Sequence, residues 1–264
     1  MAIKSVVSRD NPLFKRLRAL AGSSQARKKE GLSLLDGAHL VGAYVAARGA
    51  PALLAVGESA LLRPEVVQLV NSAGVAATRM PDALIDSISG VMHGAGIVAA
   101  VPTPRESVPE VIKGDCLLLD HLQDPGNLGS LLRSAAAAGV QQVFCSTHTV
   151  YAWAPKVLRA GQGAHFSLRI FEGCDLEEVV DRLQAPLVAT SSHAGQDLFA
   201  TDLRGTIAWV FGNEGAGVSP TILARAARRI AIPIQAHSES LNVAAAAAVC
   251  LFEARRQRAL ARPS

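Results

Sequence analysis

Three groups of residues in the second half of this chain have types and spacings suited to chemistry. The first is Asp124-Pro125-Gly126-Asn127-Leu128-Gly129 with Arg133 beyond it, a carboxylate, an amide and a guanidinium around an expected helix start. The second, Phe211-Gly212-Asn213-Glu214-Gly215-Ala216-Gly217, sets one carboxylate among three glycines. The third is Ile232-Pro233 followed by Glu239-Ser240-Leu241-Asn242-Val243, which opens an alanine-rich helical run. Each lies where an apolar run ends in a turn, and turns at the ends of buried strands are where α/β proteins hold ligands.

The glycines after Phe211 suggest a phosphate cradle, but their order fits neither the dinucleotide fingerprint nor the Walker pattern, and no Gly-Lys-Ser/Thr follows. The Glu214 charge would repel a pyrophosphate. Beside a cationic ligand or an arginine it is electrostatically sensible. The plain alternative is a glycine-rich strand exit with a solvated Glu214. In the first group Pro125-Gly126 makes a turn, Asn127 can cap the helix that follows, and Arg133 stands nearly two turns in, near an apolar stripe of Leu128, Leu131, Leu132 and Ala135. A solvated arginine explains that phrase equally well. In the third group Ser240 reads as a cap, leaving Asn242 in a first turn where alanine would hold a helix better. Ordinary capping competes with a site for an adenosine and a ribose.

The elements that must position these groups follow from periodicity. Residues 11–21 read as a helix with Asn11 as cap, Pro12 at its first position, and Leu13, Leu17 and Leu20 on one face. A strand at Ser33–Leu35, a helix at Ala38–Arg48 closed by Gly49, a strand at Ala52–Val56, a helix near Pro64–Ser72 and a strand at Gly96–Val101 complete a small α/β module. Three prolines between Val101 and Pro109 mark a linker. Beyond it, short apolar runs at Cys116–Leu119, Gln142–Cys145, Ser167–Phe171, Pro186–Thr190, Ile207–Phe211 and Arg229–Ile232 predict strands buried on both faces. Helical patterns lie between them at Leu128–Ala138, Pro155–Ala160, Leu176–Leu183 and Pro220–Ala227, and Ser240–Leu260 reads as a long closing helix.

At 264 residues, half of them apolar and 4% aromatic, the chain suits one large or two ordinary α/β domains. No apolar stretch reaches membrane-spanning length and Met1 to Ser5 hold no apolar signal core, so a soluble cytoplasmic protein is expected. Cys116, Cys145, Cys174 and Cys250 have neither zinc nor redox spacing and are expected to be buried thiols; the seven histidines are scattered, and no metal is predicted. The net charge of +4 divides unevenly: residues 1–105 carry a balance of +5 and residues 106–264 one of −1. Lys4, Arg9, Lys15, Arg16, Arg18, Arg27, Lys28 and Lys29 face only Asp10 and Glu30, a footprint expected of a nucleic-acid binder and equally of a solvated helix face.

Taken together, the three phrases resemble the motifs of the SpoU (TrmH-like) family of RNA 2′-O-ribose methyltransferases, within the SPOUT class. Asn127, Gly129 and Arg133 match the first motif, Gly212 and Glu214 the second, and Ile232, Pro233, Ser240, Leu241 and Asn242 the third. Ser8-Arg9-Asp10-Asn11-Pro12 with Asp36-Gly37 is similar to the family's substrate-binding domain, which resembles ribosomal protein L30e, with Asp36 where Glu is usual. The resemblance implies an α/β fold: an L30e-like RNA-binding domain with linker over residues 1–105, then a SPOUT methyltransferase domain with a deep trefoil knot over 106–264. It also implies a homodimer whose active site draws on both subunits. Thr190, Gly212, Asn213, Ile232 and Leu241 would line a pocket for S-adenosyl-L-methionine, and Asn127, Arg133, Glu214, Ser240 and Asn242 would form the catalytic and RNA-contacting set. Departures from the family pattern stand at Gly161, where Ser is usual, at Ala236, often Gly, and at Gly94-Ala95-Gly96, where Pro-Gln-Gly is common.

The implied reaction is displacement at the sulfonium methyl by a ribose 2′-hydroxyl, which needs in-line placement and removal of the hydroxyl proton. The family's first-motif arginine is often assigned as the base. A guanidinium is very hard to deprotonate, so Arg133 could instead bind the phosphate and orient the ribose while Ser240 or a water accepts the proton. The expected substrate is 23S rRNA, with tRNA, or a non-catalytic RNA-binding protein of the same fold, as alternatives. A nucleotide-dependent enzyme of the ordinary doubly wound kind would need a glycine fingerprint after Cys116–Asp120, where His121-Leu122-Gln123-Asp124 stands instead.

Overall fold

An asparagine cap and a proline start the first helix as their chemistry dictates: the Asn11 side chain accepts from the Leu13 N–H at 2.9 Å and Pro12 takes the first position. The computed structural model describes residues 4–89, 96–191, 196–235, 237 and 239–261. Gly94, Ala95 and Ala236 lie outside the described residues.

In chain order the elements are β1 (Lys4–Ser5), α1 (Pro12–Gly22), α2 (Ser24–Glu30), β2 (Leu32–Asp36), α3 (Ala38–Arg48), β3 (Leu53–Gly57), α4 (Pro64–Ser72), β4 (Ala77–Met80), α5 (Asp82–Ile88) and β5 (Ile97–Pro102). There follow β6 (Cys116–Leu119), α6 (Pro125–Ala138), β7 (Gln142–Ser146), α7 (Pro155–Gly161), β8 (Arg169–Cys174), α8 (Leu176–Asp181), β9 (Leu187–Thr190), β10 (Gln196–Asp197), β11 (Ala208–Phe211), α9 (Pro220–Ala224), β12 (Arg228–Ala231) and α10 (Val243–Leu260). The chain divides into two compact units, one of residues 1–104 with 153–166, the other of 105–152 with 167–264.

The first unit is a five-stranded mixed sheet in the order β1-β4-β3-β5-β2. Phe14, Leu17 and Leu20 of α1 are buried against it while Leu13 is only partly covered, so the aromatic residue, not the leucine before it, fills the core position. The short α2 was not expected. Its basic run looks like a solvated face, yet Arg27 is buried and its Nη1 donates to the carbonyls of Leu20 at 2.6 Å and Ala21 at 3.2 Å. That guanidinium satisfies carbonyls left open at the end of α1. Among the remaining basic residues Lys15 pairs with Asp10 and Arg16 with Glu30, while Lys4, Arg9, Arg18, Lys28 and Lys29 are exposed. Residues 153–166, far along the chain, also belong to this unit: α7 packs on β2, and Arg159 lies 3.9 Å from Asp36, whose other polar neighbour is the Ser89 hydroxyl at 2.7 Å.

The second unit is a seven-stranded, wholly parallel sheet in the order β10-β12-β9-β11-β6-β7-β8. Its central strands β6 and β11, paired from Cys116 with Ala208 to Leu119 with Phe211, are buried at every residue, as strands covered on both faces must be. Phe144 and Phe171 stack at 4.8 Å within this core. Helix α6 buries Leu128, Leu131, Leu132 and Ala135 and packs along α10. Two start signals differ from expectation. Asp124, not Asn127, caps α6, taking the Asn127 N–H at 2.7 Å with Pro125 already at the first helical position. Asn242, not Ser240, caps α10, which therefore begins at Val243.

All four cysteines are buried and unpaired. Burial pushes the thiols of Cys116 and Cys250 up to about 12 and that of Cys174 up to about 11, and holds Cys145 well above its ordinary value. Native protein at pH 8 should therefore react with none of its thiols over minutes in a disulfide-exchange dye assay, and with all four after unfolding in guanidinium. Rapid native reaction of even one thiol would contradict this packing.

Candidate active site

The ends of β9, β11 and β12 converge with the start of α10 around a cavity of about 670 Å³. Its wall runs through Thr190 and Ser191, residues 211–218, Ile230, Ile232 and Ile234, and residues 239–243, with Asn127 on the rim.

The wall after β11 is held by three devices. Gly212 is obligatory: a Cβ there would lie 2.0 Å from the carbonyl carbon of Gly217 and 2.1 Å from the nitrogen of Val218. Because those neighbours are backbone, no rotamer change relieves the clash. Asn213 and Gly217 then exchange two backbone hydrogen bonds of 2.9 Å, closing a tight loop in which Gly217 takes a φ of +72°. The Asn213 Oδ1 accepts from the N–H groups of Gly215 and Ala216 at 3.0 Å, and its Nδ2 donates to the His121 carbonyl at 2.8 Å. Asp120, buried at the end of β6, accepts from the Ser219 N–H at 2.7 Å and fixes where the loop departs.

Glu214 leaves this loop and meets the other two sequence groups. Its carboxylate accepts from the Asn127 amide at 3.1 Å and from the N–H groups of Asp124 at 3.2 Å and Gln123 at 3.4 Å. The Asn127 Oδ1 accepts in turn from the Asn242 Nδ2 at 2.8 Å, while the Asn242 Oδ1 caps α10 through the N–H groups of Ala244 and Ala245. A chain of hydrogen bonds thus runs Asn242, Asn127, Glu214 across 115 residues of sequence. Partial burial pushes the Glu214 carboxyl up, but the bonds from Asn127 and from backbone N–H groups outweigh it and hold the group below its ordinary value of 4.5.

Of the ten residues expected to form the site, nine line this cavity: Asn127, Thr190, Gly212, Asn213, Glu214, Ile232, Ser240, Leu241 and Asn242. The side chains of Thr190 and Ser240 make no hydrogen bond to any described residue. Arg133 is set apart. It is exposed in the third turn of α6, on the stripe with Gly126 and Ser130, and does not line the cavity of its own chain. Glu239, which belongs to the third group, also lies on the wall. Asp120 escaped the sequence reading altogether; its one signal is a carboxylate ending an apolar strand.

An open parallel sheet with a cavity at the carboxyl ends of its strands defines an α/β protein that binds a small ligand at that edge. Residues 116–252 match the SpoU rRNA Methylase family, and the chain belongs to that family. It is 31% identical over 96% of its length to the 23S rRNA (guanosine(2553)-2′-O)-methyltransferase RlmP of Bacillus subtilis, all of which is covered. It is 32% identical to an uncharacterized tRNA/rRNA methyltransferase of Synechocystis, over 97% of this chain and 95% of that one. Among solved structures, an RNA 2′-O ribose methyltransferase superposes with a TM-score of 0.83 at 32% identity, covering 97% of this chain and 99% of the other. The SpoU methyltransferase AviRb of Streptomyces viridochromogenes in complex with AdoMet gives 0.85 at 27% identity, over 96% and 100%.

Two outcomes test the geometry. Gly212→Ala should lower Tm and destabilise the fold by about 1–3 kcal/mol, the cost of forcing an extra carbon into a packed position; an unchanged Tm would mean the loop does not cross as described. The bonds to Glu214, whose carboxyl titrates below 4.5 in the fold, stabilise the protein fully above that value and are lost as pH falls below it. The Tm deficit of Glu214→Gln should accordingly be larger at pH 7 than at pH 3, measured by scanning calorimetry.

Proposed function

We propose that this protein transfers the methyl group of S-adenosylmethionine to a ribose 2′-hydroxyl of ribosomal RNA. The observation that carries the proposal is the Asn242–Asn127–Glu214 hydrogen-bond chain on the rim of a cavity walled by all three family motifs. The 23S rRNA 2′-O-methyltransferases among the relatives, matched over nearly the whole chain, support the substrate class.

The cavity suits the cofactor. Its volume falls within the roughly 300–1,000 Å³ usual for small-ligand sites. Ile230, Ile232, Leu241, Val243 and Ala246 give apolar surface for an adenine, and the uncommitted Thr190 and Ser240 hydroxyls and the turn at 211–218 give polar groups for a ribose and an amino acid. The carboxylate of Glu214 is the charge a sulfonium would favour. When bound, S-adenosylmethionine supplies an electrophilic methyl group.

The chain's own residues place the acceptor. Asn127, oriented from one side by Glu214 and from the other by Asn242, presents a fixed amide edge at the rim, and fixed placement of reacting groups is worth several kcal/mol, about 7–11 at its limit. Ser240 or a water takes the 2′-hydroxyl proton. Arg133, a guanidinium that does not readily give up its own, binds phosphate and orients the ribose. Its position outside the cavity of its own chain is consistent with a homodimer whose active site draws on both subunits. The same reading takes the second unit as a knotted SPOUT domain and residues 1–105 as an L30e-like RNA-binding domain, with Arg9, Arg18 and Lys29 as exposed cations for phosphates. It places the enzyme in the cytoplasm. Among the described residues no helix is long and apolar enough to cross a membrane, and no group of three or more His, Cys, Asp or Glu is placed to hold a metal.

The test is transfer of labelled methyl from S-adenosylmethionine to total RNA of a strain lacking this gene, followed by nucleoside analysis. Label in a 2′-O-methylated nucleoside of 23S rRNA is the expected result. Label confined to tRNA would change the substrate, and label on a base would overturn the chemistry. With the RNA in hand, Arg133→Ala should abolish transfer while leaving cofactor affinity by calorimetry within a few-fold; a variant keeping most of its activity would remove Arg133 from the mechanism.

A further inference from the structure

Beside the cavity, but not lining it, two imidazoles stand together. His121 follows β6 and His148 follows β7, so both sit at the carboxyl ends of adjacent parallel strands. Both are exposed, and their rings meet edge to face with centroids 5.0 Å apart at 85°. His121 is one of two non-glycine residues with a positive φ among the described residues, at 59°. A side chain in the left-handed region is retained only where its surroundings over-determine it, and such residues gather where a chain meets its ligands.

The surroundings here are visible. The His121 N–H donates to the Ser146 hydroxyl at 2.9 Å and its carbonyl accepts from Asn213 at 2.8 Å, the same Asn213 that shapes the cavity loop. Two residues further on, the Gln123 N–H reaches Glu214. The main chain at His121 is therefore held to the backbone that carries the site, and its side chain, about half exposed, meets solvent. Nothing in the packing of the fold requires an exposed aromatic pair there.

We infer that His121 and His148 form a platform that takes an unstacked base of the RNA next to the nucleotide being methylated. The inference rests on the methyltransferase reading above. Proteins that recognise RNA by sequence splay bases out of single-stranded loops and stack them on aromatic side chains, histidine included. A base fits this platform better than a phosphate does. The carboxylate of Asp120 lies 3.8 Å from the His121 Nε2, Asp124 follows three residues along the same turn, and the Glu214 carboxylate from the loop after β11 bonds to that turn, so the neighbourhood is acidic. The pair thus contributes to substrate selection, and takes no part in the displacement itself.

Three variants assayed on 23S rRNA purified from a strain lacking the gene test this: His121→Gly, His148→Ala and His148→Phe. Glycine adopts the backbone conformation of residue 121 freely, so His121→Gly should keep or raise Tm and leave cofactor affinity unchanged. It should nevertheless raise KM for the RNA roughly ten-fold, as expected of losing a base–aromatic stack, with kcat within about two-fold. His148→Ala should behave alike, and His148→Phe should recover most of the lost affinity. A KM within two-fold of the parent for both His121→Gly and His148→Ala overturns the platform, as does a KM that rises only together with a fall in Tm. A parent enzyme that binds this RNA but transfers no methyl to it would overturn the reading of 23S rRNA as the substrate, and with it this inference.

Discussion

One carboxylate organises the second unit's working edge. Glu214 accepts from a side-chain amide and two backbone N–H groups of the turn that opens α6, and through Asn127 it is coupled to the residue that caps α10. Removing any member hands its partners to water and loosens the link between the three turns. The strands supply only the frame. Their carboxyl ends bring three turns to one place, and the network sets the angle at which each turn stops.

Much of this was legible in the residues. Turn formers after apolar runs marked all three groups, and the buried strands of the parallel sheet could be placed within a few residues because covered strands leave unbroken aliphatic runs. Nine of the ten site residues that the family resemblance implied line the cavity. What stayed hidden depended on three-dimensional neighbours. Ser240 and Asn242 are both good caps by composition; in the fold it is Asn242 that accepts from the Ala244 and Ala245 N–H groups and starts the helix. Asp120 anchors the loop through a backbone N–H ninety-nine residues away, which no local pattern announces.

The basic N-terminal segment shows the same limit from the other side. By charge alone its cations look equivalent. In the fold, Arg27 is committed to the carbonyls ending α1, and Lys15 and Arg16 have acidic partners. A charge count therefore overstates the field available to a polyanion, and what remains is a smaller set of exposed cations, Arg9, Arg18 and Lys29 among them. Likewise, α7 belongs by packing to the first unit although the sequence around it belongs to the second. A proline-rich stretch marks where a chain can be divided, but it does not say whether a later segment returns.

The order of the parallel strands has a consequence for how the protein is made. Strand β11 joins β6 to β9, β12 lies between β9 and β10, and the cavity is closed by residues that precede α10, the last helix described. Pairings between strands so distant in sequence form slowly, since the loops between them must close before any contact repays the lost entropy. During synthesis the early strands are complete long before residue 242 leaves the ribosome. The nascent chain therefore has no finished pocket until residues 239–246 have been made, and ligand binding comes into being only after the strands that frame it.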